Sequence, residues 1–355
     1  MIATPNVKSE IIIQSFLEIT MRIIFMGSAE LACPCLDRLL ANLTDQVVGV
    51  VTQPDRPKGR SLQMTPCAVR AHVATRGIPV LTPENVNTPE SVAALRALAP
   101  DLIVVVAYGQ FLKPVILNLP SRGPARRLVR HSLGDGESTL GEGGCINVHA
   151  SLLPKYRGAA PIQWAVANGE TETGVTTMFV NARMDAGDII DQLVEPIRPE
   201  DTAGSLHDRL AQCGANLLAR TIEALRQGSI RRRSQDEAQA TFAPLIKKTD
   251  GRMDWHLPAT RIHNRVRGFN PWPGCFCELA PVGVVRVLQT RVETGRSEAV
   301  GTVLDAAGEG PLIQAGQDAL RLLELQPEGR KIMSGAAFLR GHPLTVASRC
   351  NPPAD

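Results

Sequence analysis

Hydrophobic residues in the first half of the chain form short unbroken runs that alternate with stretches of helical spacing. The runs Arg22–Gly27, 47–51 and 101–107 are rich in Val and Ile, as buried strands are. Between them, apolar residues recur every three or four positions over 31–40 and 89–98, which predicts helices. Strands that are apolar throughout and alternate with helices are typical of a parallel sheet covered on both faces. The pattern therefore predicts a doubly wound, mostly parallel α/β domain.

The pattern changes in the second half of the chain. Ala203–Arg226 predicts one long amphipathic helix that ends at Gly228. Residues 229–240 are mostly polar and are interpreted as a linker. Beyond them, short β-rich runs separated by Gly and Pro predict a smaller C-terminal β-barrel of the OB-like kind. These runs are residues 283–287, 299–304, 311–314 and 319–325.

These boundaries divide the chain into five parts. The predicted parts are an N-terminal extension (1–20), an α/β domain (21–228) with an insertion (121–144), a linker (229–240), a β-barrel domain (241–345) and a tail (346–355). The extension precedes a second methionine, Met21, and is interpreted as a short extension or a misassigned start. Its apolar run at 11–13 is too short for a secretory signal, and no apolar run in the sequence has the length of a membrane span. We therefore expect no membrane partner.

Composition narrows the class of protein only moderately. The chain has 355 residues, 44% of them hydrophobic and 21% charged, with a net charge of +3. That mild positive charge permits a nucleic-acid partner without demanding one, and it does not favour a DNA-coating protein. None of the eight cysteines has CxxC spacing. We therefore expect reduced thiols, a cytoplasmic protein and no bound metal.

A glycine after the first strand of such a fold raises the question of a dinucleotide site. The turn here is Gly27-Ser28-Ala29-Glu30, which lacks the GxGxxG pattern that lets a pyrophosphate approach the backbone. The sequence also contains no GxxxxGK[ST] loop. We therefore do not expect NAD or ATP binding.

The residues that point to chemistry lie in the middle of the chain. Asn147 and His149 are two positions apart on a predicted strand, so their side chains face the same side. Asp185 stands before a glycine-containing turn that follows a later strand. An amide and an imidazole side by side can stabilise the negative charge on a carbonyl oxygen under attack, and a carboxylate can orient the imidazole. When the attacking group is an amine of the substrate, direct acyl transfer needs no Ser or Cys nucleophile.

Spacing alone leaves other interpretations open. Asn147 and His149 also fit structural hydrogen bonding, and Asp188 and Asp191 are rivals to Asp185. Two further residues, Tyr156 and Arg157, also fit an ordinary solvated turn.

The segment Asn147-Val-His149-Ala-Ser-Leu-Leu-Pro-Lys-Tyr-Arg-Gly158 resembles the signature of the folate-dependent formyltransferases, N-x-H followed by x-S-L-L-P-x-x-x-G. The resemblance implies that Asn147, His149 and Asp185 form a catalytic trio. It also implies that the α/β domain holds the formyl donor 10-formyltetrahydrofolate. The folate is then expected against the 184–188 loop and the turn formed by Ser151, Leu152, Leu153 and Pro154, held largely through backbone groups.

Further segments are similar to the members of this family that act on aminoacylated tRNA. These segments are residues 51–60, 158–163, 243–274 and 323–334, and the whole resemblance covers about 21–345. It implies formyl transfer to the α-amino group of methionyl initiator tRNA, for translation initiation, by a cytoplasmic monomer. The residues expected to contact the tRNA are Arg56, Lys58 and Arg60 in the basic loop 53–66, and Lys247, Lys248, Arg265 and Arg267 in the barrel domain.

One segment departs from the family pattern. Residues 121–144 are longer than the usual connection before the Asn-x-His strand, and are interpreted as a flexible surface insertion or as a segment that alters substrate access. Their basic cluster, Arg126, Arg127 and Arg130, is interpreted as part of a disordered loop or as an RNA contact. Three other functions stay open on the sequence. They are formyl transfer to a nucleotide-sugar amine or glycinamide ribonucleotide, hydrolysis of the formyl-folate, and non-catalytic tRNA binding.

Overall fold

The computed structural model describes residues 20–58, 62–120 and 144–350, without the side chain of Lys58. The predictions made for 1–19, Arg60, 121–143 and 351–355 lie outside the described residues. The chain divides into two compact units. The first consists of residues up to Ala159 with Thr173–Glu195 and Asp208–Phe242, and the second of Ala160–Glu172, Pro196–His207 and the residues from Ala243 onward.

Strands and helices alternate in the first half of the described chain, and strands dominate after residue 270. The strands are β1 (Arg22–Gly27), β2 (Gln46–Val51), β3 (Arg56–Lys58), β4 (Gln63–Thr65), β5 (Val80–Leu81), β6 (Leu102–Val106), β7 (Cys145–His149), β8 (Arg157–Gly158), β9 (Glu172–Phe179), β10 (Ile189–Pro196), β11 (Phe242–Ala243), β12 (Cys275–Leu279), β13 (Gly283–Glu293), β14 (Val303–Asp305), β15 (Leu312–Gln314), β16 (Ala319–Pro327) and β17 (Met333–Ser334). The helices are α1 (Ala32–Leu40), α2 (Ala68–Val73), α3 (Pro89–Ala97), α4 (Pro114–Leu117), α5 (Pro161–Asn168), α6 (Ala203–Arg226), α7 (Ala259–Gly268) and α8 (Gly335–Gly341).

The larger sheet has seven strands in the order β10-β9-β7-β6-β1-β2-β5. Strand β1 pairs in parallel with β2 and β6, and β6 pairs in parallel with β7. Strand β9 runs antiparallel to β7. Most residues of β1, β2 and β6 are buried because helices cover both faces of a doubly wound sheet. The predicted mostly parallel α/β architecture is confirmed.

The long helix α6 follows the predicted bounds, and its apolar stripe lies in the core. All six predicted positions are buried, namely Leu206, Leu210, Leu217, Leu218, Ile222 and Leu225. The last turn carries a buried ion pair in which the Arg226 guanidinium donates to Asp45 Oδ2 at 2.6 Å. Asp45 also accepts the backbone N–H of Met21, so one buried carboxylate joins the end of the helix to the start of β1.

The smaller sheet has six antiparallel strands in the order β12-β13-β16-β15-β14, with β17 paired to β16. Its core contains alternate residues of these strands together with α7, where Ile262 and Val266 are buried. Trp164 of α5 packs edge-on against Phe269, with ring centroids 5.6 Å apart. This curled, half-barrel sheet bears out the predicted OB-like β-barrel class.

Several local predictions need correction. The segment 53–66 is not a loop throughout, because β3 and β4 pair as a short antiparallel hairpin. The predicted strand at 299–304 starts too early, because a turn occupies 300–301 and β14 begins only at Val303. No helix in the described ranges combines the length and the apolar character that crossing a membrane requires.

Candidate active site

Strand β7 carries Asn147 and His149 to the edge of the sheet where parallel strands end. Its neighbours fix both positions, since Asn147 lies opposite Val105 of β6 and His149 lies opposite Thr176 of β9. In doubly wound folds ligands bind in the crevice outside these carboxyl ends. Asn147 is partly exposed there and His149 is buried.

Asp185 comes to both side chains from the loop between β9 and β10. Its Oδ1 lies 3.4 Å from Asn147 Nδ2, and its Oδ2 lies 3.7 Å from His149 Nδ1. The Asp185 side chain keeps 16% of its surface exposed and that of His149 only 7%. The structure therefore brings an amide, an imidazole and a carboxylate together at one partly open point. The thiol beside them on the strand, Cys145, is fully buried and burial raises its pKa, which disfavours a thiolate nucleophile there.

The backbone around His149 fixes which of its nitrogens can serve the site. Nε2 lies 2.9 Å from the carbonyl oxygen of Tyr156, which can only accept a hydrogen bond. Nε2 must therefore carry a proton, and Nδ1 is the nitrogen that faces Asp185. Because Nδ1 of the neutral form is then an acceptor, His149 donates from this position only as the imidazolium.

Asp185 is held in an uncommon backbone conformation. Its φ is +47°, in the left-handed region that non-glycine residues seldom adopt. The backbone N–H of Gly158 donates to its Oδ2 at 2.9 Å, and Gln235 donates to its main-chain oxygen at 2.9 Å. Both carboxylate oxygens are therefore directed, one towards Asn147 and one towards Gly158 and His149.

The two rival carboxylates have other partners. Asp188 accepts a hydrogen bond from the hydroxyl of Ser234, and Asp191 pairs with Arg220 at 2.8 Å. Asp185 is therefore the carboxylate that the structure brings to Asn147 and His149.

The turn of Ser151, Leu152, Leu153 and Pro154 is packed into the protein. Ser151 is fully buried, and its carbonyl accepts from Thr176 at 2.6 Å. The remaining carbonyls of the turn also accept hydrogen bonds, from Lys155, Gln192 and Thr241. The turn therefore contributes to the shape of the site, but its carbonyls already accept hydrogen bonds within the protein. Its contact with folate stays a prediction.

Tyr156 and Arg157 are buried, with 7% and 3% of their surface exposed, so the solvated-turn interpretation is wrong. Arg157 donates from Nε to the Gln235 side chain at 3.0 Å and binds the Glu237 carboxylate through both terminal nitrogens, at 3.0 and 3.1 Å. Sequence reasoning missed Gln235 and Glu237 as neighbours of the site. The polar composition that suggested a linker gave no sign that this segment folds against the Asp185 loop.

The residues predicted to contact RNA fall into different settings. Arg56 is exposed on β3 and pairs with Glu84 at 2.9 Å. Lys247 and Lys248 are exposed. Arg265 donates to the carbonyl of Asp250, and Arg267 donates to the carbonyls of Arg198 and Asp201. These two guanidinium groups are engaged by the protein itself, and burial lowers the pKa of Arg267.

Comparison with known proteins identifies the class to which this fold and site belong. Residues 21–125 and 139–222 match the Formyl transferase family, and residues 245–343 match its C-terminal domain. These matches cover both predicted folded regions and place the chain among the formyl transferases.

No group of three or more His, Cys, Asp or Glu suited to a metal ion occurs in the part of the chain that the structure describes.

Two individual relatives show which of the formyl transferases this chain resembles. The methionyl-tRNA formyltransferase of Trichlorobacter lovleyi is 43% identical over 333 residues, which cover 93% of this chain and 97% of that protein. The methionyl-tRNA formyltransferase of Desulfotalea psychrophila is 46% identical over 325 residues, covering 91% of this chain and 94% of that protein. The chain belongs to the methionyl-tRNA formyltransferase family.

A solved structure gives independent support for the fold. The N-formyltransferase from Helicobacter canadensis, in complex with folinic acid and dTDP-3-aminofucose, superposes with a TM-score of 0.58. It is 16% identical and covers 85% of this chain and 99% of that chain. At this identity the likeness extends to the fold alone.

Proposed function

We propose that this enzyme transfers the formyl group of 10-formyltetrahydrofolate to the α-amino group of methionyl initiator tRNA. The product is N-formylmethionyl-tRNA, which serves translation initiation. The observation that carries the proposal is the convergence of Asn147, His149 and Asp185 at the carboxyl end of β7, in a chain closely related to methionyl-tRNA formyltransferases. Because the acceptor is a tRNA, we place the reaction in the cytoplasm. We further expect a monomer without DNA or membrane partners.

The chemical step is direct attack of an amine on a formyl carbon. The methionyl nitrogen forms a bond to that carbon, the bond from the carbon to N10 of the folate breaks, and the amine proton leaves while N10 gains one. Negative charge develops on the formyl oxygen before the bond to N10 breaks. Donors aimed at that oxygen lower the barrier because they are already oriented when the charge appears.

Asn147 and His149 are the proposed donors. Asn147 offers its amide N–H, and His149 offers Nδ1–H because Nε2 is committed to the carbonyl of Tyr156. Asp185 faces Nδ1 of His149 across 3.7 Å, where it can orient the imidazole, and it is the carboxylate proposed to accept the amine proton. The attacking amine must be neutral.

The surroundings of the trio suit a flat, partly apolar donor. Met184, next to Asp185, is 63% exposed, and the buried Leu153 lies in the turn that follows β7. We propose that the 184–188 loop and the turn of Ser151, Leu152, Leu153 and Pro154 form the folate-binding surface. In this proposal the folate packs against side chains, since the carbonyls of the turn have partners within the protein.

For the acceptor, we propose that exposed basic residues bind phosphates of the tRNA. The exposed ones are Arg56 on the first unit and Lys247 and Lys248 on the second. From the sequence we add Lys58 and Arg60, which follow Arg56 in the chain. Arg265 and Arg267 are less suited to this role than their charge suggests, because their guanidinium groups already bind backbone carbonyls.

The decisive experiment measures formyl transfer from 10-formyltetrahydrofolate to methionyl initiator tRNA, with methionyl elongator tRNA as the control acceptor. Formylation of the initiator alone establishes the donor, the acceptor and the selectivity together. Release of formate without transfer, or formylation of a small amine such as a nucleotide sugar, keeps the trio and overturns the tRNA acceptor.

A further inference from the structure

The side chain of Gln235 reaches from the polar segment after α6 to the loop that carries Asp185. Its Nε2 lies 2.9 Å from the carbonyl oxygen of Asp185 and 2.7 Å from that of Gly187. One amide group therefore holds both ends of the turn that contains Asp185. The backbone pairing of Arg233 with Ile189 fixes the segment beside this loop.

The orientation of the Gln235 amide is set by a buried cation. Arg157 donates from Nε to Gln235 Oε1 at 3.0 Å, so Oε1 faces the guanidinium and Nε2 faces the two carbonyls. The other end of Arg157 is fixed by its two-point contact with Glu237. Arg157 thereby lowers the pKa of Glu237, which keeps this partner charged. Only the amide side chain supplies an acceptor for Arg157 together with donors for two carbonyls.

The loop needs such support because of its backbone. A non-glycine residue with φ of +47° stays in that region only when its surroundings hold it there. Gly158 fixes the carboxylate of Asp185, and Gln235 fixes its main chain. Arg157, which directs Gln235, directly precedes Gly158 in the chain, so the two restraints share one origin.

We propose that Gln235, directed by Arg157, is a positioning residue that holds the Asp185 carboxylate in reach of His149 and Asn147. It acts through Asp185 and does not touch the reacting groups. The inference rests on the function proposed above, because it assigns Gln235 to the same site.

The test compares Gln235→Met with Gln239→Met. Methionine has nearly the length of glutamine but neither donates to the two carbonyls nor offers Arg157 a comparable acceptor. Gln239 is an exposed glutamine of the same segment, whose amide donates to the carboxylate of the nearby Asp236. In formyl transfer, Gln235→Met should lower kcat by about tenfold or more, with KM for the tRNA within about twofold, whereas Gln239→Met should leave both unchanged.

A double-mutant cycle with Asp185→Asn separates positioning from general support of the fold. If Gln235 acts through the Asp185 carboxylate, adding Gln235→Met to Asp185→Asn should change kcat by less than about twofold. A tenfold loss in both backgrounds would mean that Gln235 supports the protein in some other way, and the proposal would fall. If Gln235→Met does not fold, Gln235→Glu keeps an acceptor for Arg157, removes the two donors and enters the same cycle.

Hydrogen exchange gives a readout that does not depend on activity. Gln235→Met should raise exchange at the amides of 180–188, with the rest of the first unit unchanged, and Gln239→Met should not. Unchanged exchange in that loop overturns the positioning role. Failure of the wild-type enzyme to transfer formyl overturns the proposed function instead, and leaves the exchange result to be judged by itself.

Discussion

His149 has only one nitrogen available for chemistry, because the carbonyl of Tyr156 takes the other. That nitrogen faces the carboxylate of Asp185, and the amide of Asn147 approaches the same carboxylate. The three side chains therefore form a unit in which each member restricts the others. Removing one should affect the reaction far more than it affects binding of a large acceptor.

At this scale we predict that His149→Ala lowers kcat by at least about a hundredfold, because it removes a donor to the developing oxyanion. The affinity for methionyl initiator tRNA should change less than about twofold, since phosphate contacts generally supply a large part of nucleic-acid affinity. Steady-state kinetics and equilibrium tRNA binding check the two expectations. The control is His256→Ala, at a histidine side chain that is 81% exposed. Near-normal turnover of His149→Ala would refute the mechanism.

The sequence could indicate which residues lie together only where they leave a local pattern. Asn147 and His149 stand out because two polar residues alternate within an otherwise apolar strand. Gln235 has no such signature, since it is a polar residue in a polar segment and its partner Asp185 is 50 positions away. Its importance comes from a long-range contact, which composition and spacing do not encode.

At the scale of elements, helix α6 is joined to β1 by the buried pair of Arg226 and Asp45, whose side chains are 5% and 1% exposed. We predict that Arg226→Met lowers the free energy of unfolding by about 3–5 kcal/mol, because it leaves Asp45 buried without its cation. Denaturant titration measures the change. Arg220→Met is the matched control on the same helix, where the 59% exposed arginine pairs with Asp191 and should contribute less than about 1 kcal/mol. Equal losses in the two variants would contradict the prediction.

A second element-level prediction concerns the pairing of β13 with β16. Arg321 donates to both oxygens of Glu293, at 2.8 and 2.9 Å, and holds the pKa of that carboxyl at about 2, against an ordinary 4.5. Because the pKa is lower in the folded state, the ionised carboxyl stabilises the fold at pH values above the pKa of the unfolded state. This contribution is lost as the pH falls towards 2. Glu293→Gln should therefore flatten the loss of stability between pH 4.5 and 2 relative to the wild type. Unfolding measured across that range checks it, with Glu328→Gln, at an exposed carboxyl, as the control.

Whole elements were predictable where burial is uniform. Strands β1, β2 and β6 and helix α6 have the predicted bounds within two residues, because their apolar pattern follows directly from the core they fill. Strand β10 was missed because its edge position leaves most of its residues partly exposed, and its sequence IIDQLVEP mixes both kinds of residue. Helix α7 was missed because only four of its ten residues are buried.

For the molecule as a whole, the prediction concerns how the affinity for tRNA depends on salt concentration. The net charge is only +3, so affinity for an RNA must come from local groups of basic residues. We predict that the double variant Lys247→Ala and Lys248→Ala raises KM for the tRNA and leaves kcat unchanged. It should also reduce the slope of log affinity against log salt concentration by about one for each phosphate contact that is lost. Binding titrations from low to high salt measure this slope, and Lys113→Ala is the control at an exposed lysine. An unchanged slope in the double variant would exclude Lys247 and Lys248 from the tRNA interface.

The contact of Gln235 with the Asp185 loop also bears on where the enzyme can be cut. A fragment ended at Gly228, the last residue of the predicted α/β domain, would keep Asn147, His149 and Asp185 but lose Gln235, which holds the Asp185 loop. Extending it through Phe242, where the first compact unit ends, would restore Gln235, Glu237 and the strand partner of Arg157. On the positioning role proposed for Gln235, a fragment made for formyl chemistry should therefore extend past the end of helix α6, through Phe242.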